Sequence, residues 1–245
     1  MMTIALIALG GNQGDVRRTA ESALAQIGQH PAITVQRVSA WYSTESIGSA
    51  GRYWNAAAVV RTTLEPLELL DQLQQAELDH GRVRAGHWAP RTLDLDLVLY
   101  GERVINHPRL IVPHPLAWRR RFVLDPAVEI AGDFVHPISQ CTLQQLLQRL
   151  MVRPLVVGVD LDQALWRVVW SQLPSTLRAE AEVVSSVSGE KAREVVVTFV
   201  ASNHGERPFT VVVPADSSLA ARSVADTLTA MLDCPIEILD ESADR

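Results

Sequence analysis

Two aspartates, Asp94 and Asp96, stand inside an otherwise strand-like run, WAPRTLDLDLVLY, from Trp88 to Tyr100. Side chains alternate across a strand, so Leu93, Leu95 and Leu97 face one way and both carboxylates the other. The bland reading of such a pattern is a half-exposed strand with a solvated acidic face. Against it, Asp is a poor strand former, and two like charges on one patch repel unless a cation or basic groups offset them. Magnesium meets that need, because it takes one or two carboxylates on one side and substrate phosphates on the other. Basic residues gather along the chain around this run: Arg82 and Arg84 before it, Arg91 within it, then Arg109, His114, Arg119, Arg120 and Arg121. The chemistry implied is polyphosphate binding at a metal, between these basic groups. Taken singly, Arg82 and Arg84 also read as a solvated helix end, Arg119 to Arg121 as a surface turn, and Trp88 and Tyr53 as core aromatics. His114 is held rigidly between two prolines in VPHPL.

Ordered elements must carry these groups. Thr3 to Ala8 reads as a strand, and the GGNQGD that follows can turn sharply. Asp15 then caps a helix whose apolar positions, Val16, Ala20, Ala23, Leu24 and Ile27, recur at helical spacing up to Gly28. Thr34 to Val38 and Trp54 to Thr62 read as strands separated by a polar loop, TESIGSAGR. Pro66 opens a second helix, with Leu67, Leu69, Leu70, Leu73, Ala76 and Glu77 before Gly81, and the acidic strand follows. Strand, helix, strand, strand, helix, strand is the split βαβ, ferredoxin-like order of an α+β domain. It is assigned to residues 1–150 and closed by the helix LQQLLQRL. Residues 151–245 read as a second small α+β domain of unknown type and function. Its strand candidates are RPLVVGVDL, LRAEAEVVSSV, REVVVTFVAS and PFTVVVPAD, and a helix runs from Leu219 to Leu232, capped by Asp216 or Ser217. Trp166 and Trp170, one helical turn apart, read as core or domain interface.

Composition sets the bounds. With 245 residues, 47% apolar and 20% charged, the chain has the balance of a globular protein with two domains. A net charge of -6 argues against non-specific nucleic-acid binding. Cys141 and Cys234 lack CxxC spacing and read as buried thiols. No apolar run approaches the ~20 residues that span a bilayer, so the expected location is the cytoplasm, without membrane association. A monomer is expected, with association through the C-terminal part as the alternative.

From Ile4 to about Ile130 the chain resembles the 6-hydroxymethyl-7,8-dihydropterin pyrophosphokinases of folate biosynthesis. Five blocks carry the resemblance in order: ALGGNQGD, YSTESIG with RYWNAA, AELDHGRVR, HWAPRTLDLDLVLYG, and VPHPLAWRRRFVLDPAVEIA. It implies transfer of a pyrophosphoryl group from MgATP to the pterin hydroxymethyl oxygen, releasing AMP. By the same resemblance Asp94 and Asp96 hold two magnesium ions, with Arg82 and Arg91 as the other catalytic groups. Gln74, Glu77, Arg84, Trp88, Arg109, Ile111, His114 and Arg120 match positions around ATP. Tyr53 and Phe122 match the aromatics that sandwich the pterin, Asn55 the amide that reads its polar edge, and Thr44 and Ile47 the loop lining the pocket. Trp88 also matches a loop that closes over the pterin, excluding water.

Three positions depart from the pattern. Gly11 stands where the family commonly has Ser, Ser46 where it has Pro, and Ala89 where it has Gly. Without the proline the pterin loop is less pre-ordered, so pterin affinity is the parameter most exposed to change. Two other functions compete with the active enzyme: a silent pterin- or nucleotide-binding paralogue with a C-terminal interaction module, and an unrelated magnesium-dependent phosphohydrolase. The second gives Tyr53, Asn55 and Phe122 no purpose.

Overall fold

A computed structural model describes residues 2–45, 51–82, 91–184, 195–201 and 209–238. The chain divides into two compact units, Met1–Gln144 with Asp233–Arg245, and Gln145–Leu232. In the first, β1 (Thr3–Gly11) leads to α1 (Val16–Gly28), β2 (Ile33–Val38), β3 (Trp41–Glu45), β4 (Arg52–Thr62), α2 (Pro66–Asp79) and β5 (Asp94–Tyr100). Local chemistry sets the helix starts: Asp15 Oδ1 accepts the Arg18 N–H at 3.1 Å, and Pro66 stands at the first position of α2 behind a Glu65–Glu68 capping box.

Every strand pair in this unit is antiparallel, so the unit is α+β. The strand order is β12-β3-β4-β1-β5, with β2 also paired to β4 and β12 formed by Ile236–Ile238. Alternation sends Ala5, Ile7 and Leu9 of β1, Ala56, Ala58 and Val60 of β4, and Leu95 and Leu97 of β5 to one face. There they form a core with Val16, Ala20 and Leu24 of α1 and Leu69, Leu73 and Ala76 of α2. Each fully buried aliphatic side chain there stabilises the fold by ~1.5–3 kcal/mol. The other face of the same strands is thereby left to Ala8, Gly10, Asn55, Asp94 and Asp96. A third helix, α3 (Arg121–Ala131), packs against β4, β1 and β3, and a hairpin of β6 (Ile105–His107) and β7 (Leu110–Val112) precedes it. The stretch Trp41–Glu45, whose end the sequence pattern placed in a loop, is strand β3.

Helix α4 (Leu143–Met151) leads out of this unit. In the second unit, β8 (Leu155–Asp160), β9 (Ala181–Val184), β10 (Val197–Val200) and β11 (Thr210–Val212) form one sheet in the order β11-β10-β8-β9. Its pairs are all parallel, where an α+β arrangement was expected. Parallel neighbours need a crossover, and α5 (Gln163–Gln172) with α6 (Ser175–Ala179) supplies it between β8 and β9. The Trp166 ring stacks on fully buried Phe199 with centroids 6.2 Å apart, and Trp170 lies 5.5 Å from Trp166, so the pair serves this unit's own core. Asp216 Oδ1 caps α7 (Ser217–Leu232) by accepting the Ser218 and Leu219 N–H groups. After α7 the chain returns to the first unit as β12, a strand the sequence reading had left in the second domain. The cysteines are not buried as expected: Cys141 is half-buried and Cys234 exposed. Among the described residues no helix is long and apolar enough to cross a membrane.

Candidate active site

One register row crosses the open face of the first sheet. Tyr42 of β3 pairs with Asn55 of β4, Asn55 with Gly10 of β1, and Gly10 with Asp94 of β5; Ala8 pairs with Asp96 one step along. Strands lie ~4.8 Å apart, so Asn55 and Asp94 project from the same face roughly 10 Å from each other. Gly10 between them leaves the floor clear, because a Cβ there would lie 3.3 Å from Asn55 Oδ1. At Gly11 a Cβ would sit 2.9 Å from both the Thr92 carbonyl oxygen and the Val16 side chain. Gly11 is therefore held by packing against fixed backbone, while at Gly10 a Cβ would press only on the Asn55 side chain. Above this row is a cleft of ≈ 240 Å³ whose lining includes Gly10, Thr44, Tyr53, Asn55, Arg91, Asp94, Asp96, Arg120, Phe122 and Val123.

The acidic end is crowded with guanidinium groups. Asp94 receives Arg82 at 2.8 Å and Arg91 at 2.7 Å. Arg82 is also paired with Glu77, a buried carboxylate that accepts the Leu95 N–H at 2.7 Å and so ties α2 to the acidic strand. Burial pushes Glu77 up to about 7, although the Leu95 N–H and Arg82 oppose the rise. The backbone of Arg91 is fixed by the glycine turn: its N–H donates to Asn12 Oδ1 at 2.8 Å, and its carbonyl accepts the N–H groups of Asn12 and Gln13.

Asp96 is pushed up to about 6, first by desolvation on the cleft floor and then by the charge of Asp94, while Arg120, Arg82 and Arg91 pull it down. His114 moves the other way, to about 4, through burial and the nearby Arg120. Its Nδ1 accepts the Leu116 N–H at 3.2 Å, so the neutral ring carries its proton on Nε2, 4.0 Å from Asp96 Oδ2. With the ring neutral at pH 7 this contact is no ion pair; Nε2–H is a donor aimed at the acidic end.

The opposite end is apolar with one polar reader. Asn55 Nδ2 donates to Thr44 Oγ1 at 3.1 Å, and both residues are buried. That bond leaves Oδ1 and the second amide hydrogen for a ligand. Tyr53 of β4 and Phe122 at the start of α3 supply aromatic walls, and Arg120 stands 5.4 Å from the Phe122 ring.

The structure thus brings Thr44, Tyr53, Asn55, Arg91, Asp94, Asp96, Arg120 and Phe122 into one cleft, with Arg82 and His114 in contact with its acids and Glu77 paired to Arg82. Gln74 lies one turn before Glu77 on α2, outside the lining. Arg109 and Ile111 are exposed on the β6–β7 hairpin, also outside it, and Arg109 is ion-paired with Asp71. Ile47, Arg84 and Trp88, with Ser46 and Ala89, lie outside the described residues. Sequence reasoning missed Asn12, whose one signal was its place in the glycine turn, and Glu129, which gave none. Among the described residues no group of three or more His, Cys, Asp or Glu could form a metal cage. Two carboxylates without a cage fit magnesium that completes its shell with phosphate oxygens and water.

Comparison with known proteins gives a consistent result. A family profile described as 7,8-dihydro-6-hydroxymethylpterin-pyrophosphokinase (HPPK) matches residues 6–132. A 2-amino-4-hydroxy-6-hydroxymethyldihydropteridine pyrophosphokinase of Synechocystis is 40% identical over 165 residues, 66% of this chain and 85% of that one. The enzyme of that name from Bacillus subtilis is 44% identical over 132 residues, 53% of this chain and 79% of its own. A crystal structure of an HPPK-DHPS with substrates shares the fold at a TM-score of 0.50 and 11% identity; the match covers 64% of this chain and half (50%) of that one.

Proposed function

The chain belongs to the 7,8-dihydro-6-hydroxymethylpterin-pyrophosphokinase family, and on that premise we propose that its cleft transfers pyrophosphate from ATP to 6-hydroxymethyl-7,8-dihydropterin, giving AMP and the pterin diphosphate. The protein is an ATP-dependent diphosphotransferase of folate biosynthesis. The register row supports this reading most directly. It sets an amide that can read a pterin edge and a pair of acids that can hold a metal triphosphate on one face, two strands apart.

Each end then has a task. Asn55 reads the polar edge of the pterin through Oδ1 and its second amide hydrogen, Thr44 keeps that amide oriented, and Tyr53 and Phe122 stack on the ring. Ile47 and Trp88 are assigned to the same substrate by the family resemblance alone. A bicyclic ring with its hydroxymethyl arm spans the gap from Asn55 to the acids and presents its oxygen there. Arg82 and Arg91 already stand beside Asp94, so only side-chain motion is needed to place them on phosphate oxygens, where they stabilise charge without giving up a proton. Neutral His114 donates from Nε2, and Arg120 adds positive charge between the two ends. Gln74, Glu77, Arg109 and Ile111 are assigned to the nucleotide, as Arg84 is by the family resemblance alone; Glu77 acts through Arg82. Asp94 and Asp96 would hold two magnesium ions, which would supply positive charge to offset that of the triphosphate.

In the first unit β2 and β3 both pair with β4, and taken as one strand interrupted at Ser39 and Ala40 they give the ferredoxin-like order. Catalysis is assigned to residues 1–150, with 151–245 as an appended segment, and the protein to a cytoplasmic monomer. A silent paralogue is disfavoured because the polar groups at both ends of the cleft are retained and converge.

Incubation with ATP, magnesium and hydroxymethyldihydropterin tests the function. The expected result is pterin-dependent AMP release, one AMP per pterin diphosphate; ADP in its place, or no turnover, would overturn it.

A further inference from the structure

We infer that the C-terminal strand β12 is a positioning element for the pterin end of the cleft, acting through β3; this rests on the assignment of Asn55 and Thr44 to the pterin. Within the register, Ile236 pairs with Ser43, Glu237 with Tyr42 and Ile238 with Trp41. Tyr42 in turn pairs with Asn55, so the row that defines the site runs on through β3 to Glu237. Thr44, which fixes the Asn55 amide, follows the paired segment directly.

Without β12, β3 would be a five-residue edge strand held by β4 along one side only. Short edges fray at low free energy, and fraying here would release the bond that orients Asn55. A second contact of the same tail reaches the opposite wall: Arg121 donates to Cys234 Sγ at 3.6 Å while forming a two-pronged ion pair with Asp125. The next residue is Phe122. Glu129 of α3 closes the frame, accepting the Ala40 N–H at 3.0 Å and the Tyr42 O–H at 3.2 Å. The Tyr42 hydroxyl is pushed up to about 12 by burial, then by Glu129 and Glu237, so it remains a donor to this frame.

The tail therefore binds the residues next to Thr44 on one wall of the pterin pocket and next to Phe122 on the other. Its task is pre-organisation of the pterin end, which lowers the ordering left to be done when that substrate binds.

Full-length Ile236→Pro tests the inference: Tyr42 turns its backbone groups to Asn55, so Ser43 turns its own to β12, and proline at exposed Ile236 removes the N–H of that pair. Its pterin KM should rise at least about fivefold, the low end of ordinary coupling, with ATP KM and kcat within about twofold. A folded variant with unchanged pterin KM, or one that loses kcat alone, would overturn the positioning role. Hydrogen exchange on the wild type needs no variant: adding pterin to the protein already bound to a non-hydrolysable ATP analogue should slow exchange in residues 41–43 and 236–238. Protection around Asn55 with none in 236–238 would overturn it as well. Asn55→Ala separates the two levels. Unchanged pterin KM in that variant refutes the pterin assignment itself, whereas a raised KM there with none in Ile236→Pro refutes only the role of β12.

Discussion

Replacing Asp96 with Asn should make the enzyme worse and the unliganded protein slightly more stable. In the folded chain this carboxyl is pushed from 3.8 up to about 6, so its ionised form is disfavoured there relative to the unfolded chain. At ~1.4 kcal/mol per tenfold, that interval sets a ceiling of ~3 kcal/mol. The side chain is still 46% exposed, and solvent screening reduces the figure to about 1 kcal/mol. The sign follows from the raised folded-state value. The contribution of Asp96 to stability is fully present below pH ~4 and is lost as pH rises through about 6. Without magnesium at pH 8, Asp96→Asn should therefore melt about 2–4 °C above wild type, and near pH 4 the difference should vanish. Turnover should move the opposite way. A lost metal ligand removes several kcal/mol of transition-state stabilisation, read as at least about a hundredfold fall in kcat/KM. Thermal unfolding at the two pH values, alongside AMP release, measures both. A variant less stable than wild type at pH 8 would show Asp96 to be a structural residue, and unchanged turnover would end the metal assignment.

Glu77→Ala strands the buried Leu95 N–H and leaves Arg82 without its buried partner, so urea unfolding should show a loss of about 3 kcal/mol or more. Glu77→Gln keeps an acceptor for Leu95 and should lose distinctly less; equal losses would mean the N–H bond carries no weight. Gly11→Ala places a methyl 2.9 Å from the Thr92 carbonyl oxygen and should destabilise by ~1–3 kcal/mol in the same assay, with a neutral result contradicting the close approach. A chain shortened to end at Met151 keeps every cleft-lining residue but loses β12. Steady-state kinetics should show kcat retained and pterin KM raised, and a folded but inactive product would place catalytic groups beyond that point.

Much of the site was legible because strand alternation is a strong rule. Leu93, Leu95 and Leu97 had to face the core, which left Asp94 and Asp96 together on the other side. The cap at Asp15 and the proline at Pro66 also stood out, since both have a specific backbone purpose. What stayed hidden depended on partners remote in sequence. The strand Trp41–Glu45 carries Tyr, Ser, Thr and Glu, and only pairing on both edges makes it a strand. Helix α3 begins at the last of three successive arginines and contains Pro126, which removes the N–H that would bond the Phe122 carbonyl, so no helical signal survives there. Arg121 reads as a surface charge until Asp125 and Cys234 are found beside it, and Ile236–Ile238 is too short to announce itself. In the second unit the Val-rich strands were visible, but their parallel pairing was not, because a single strand looks the same in either direction.

The most direct test of the account is a crystal structure of the protein with manganese in place of magnesium, a non-hydrolysable ATP analogue and hydroxymethyldihydropterin. The account predicts anomalous peaks for two ions at Asp94 and Asp96, the triphosphate clamped by Arg82 and Arg91, and the pterin between Tyr53 and Phe122 with its polar edge on Asn55. Metal bound away from both aspartates, or a pterin that leaves Asn55 untouched, would contradict it.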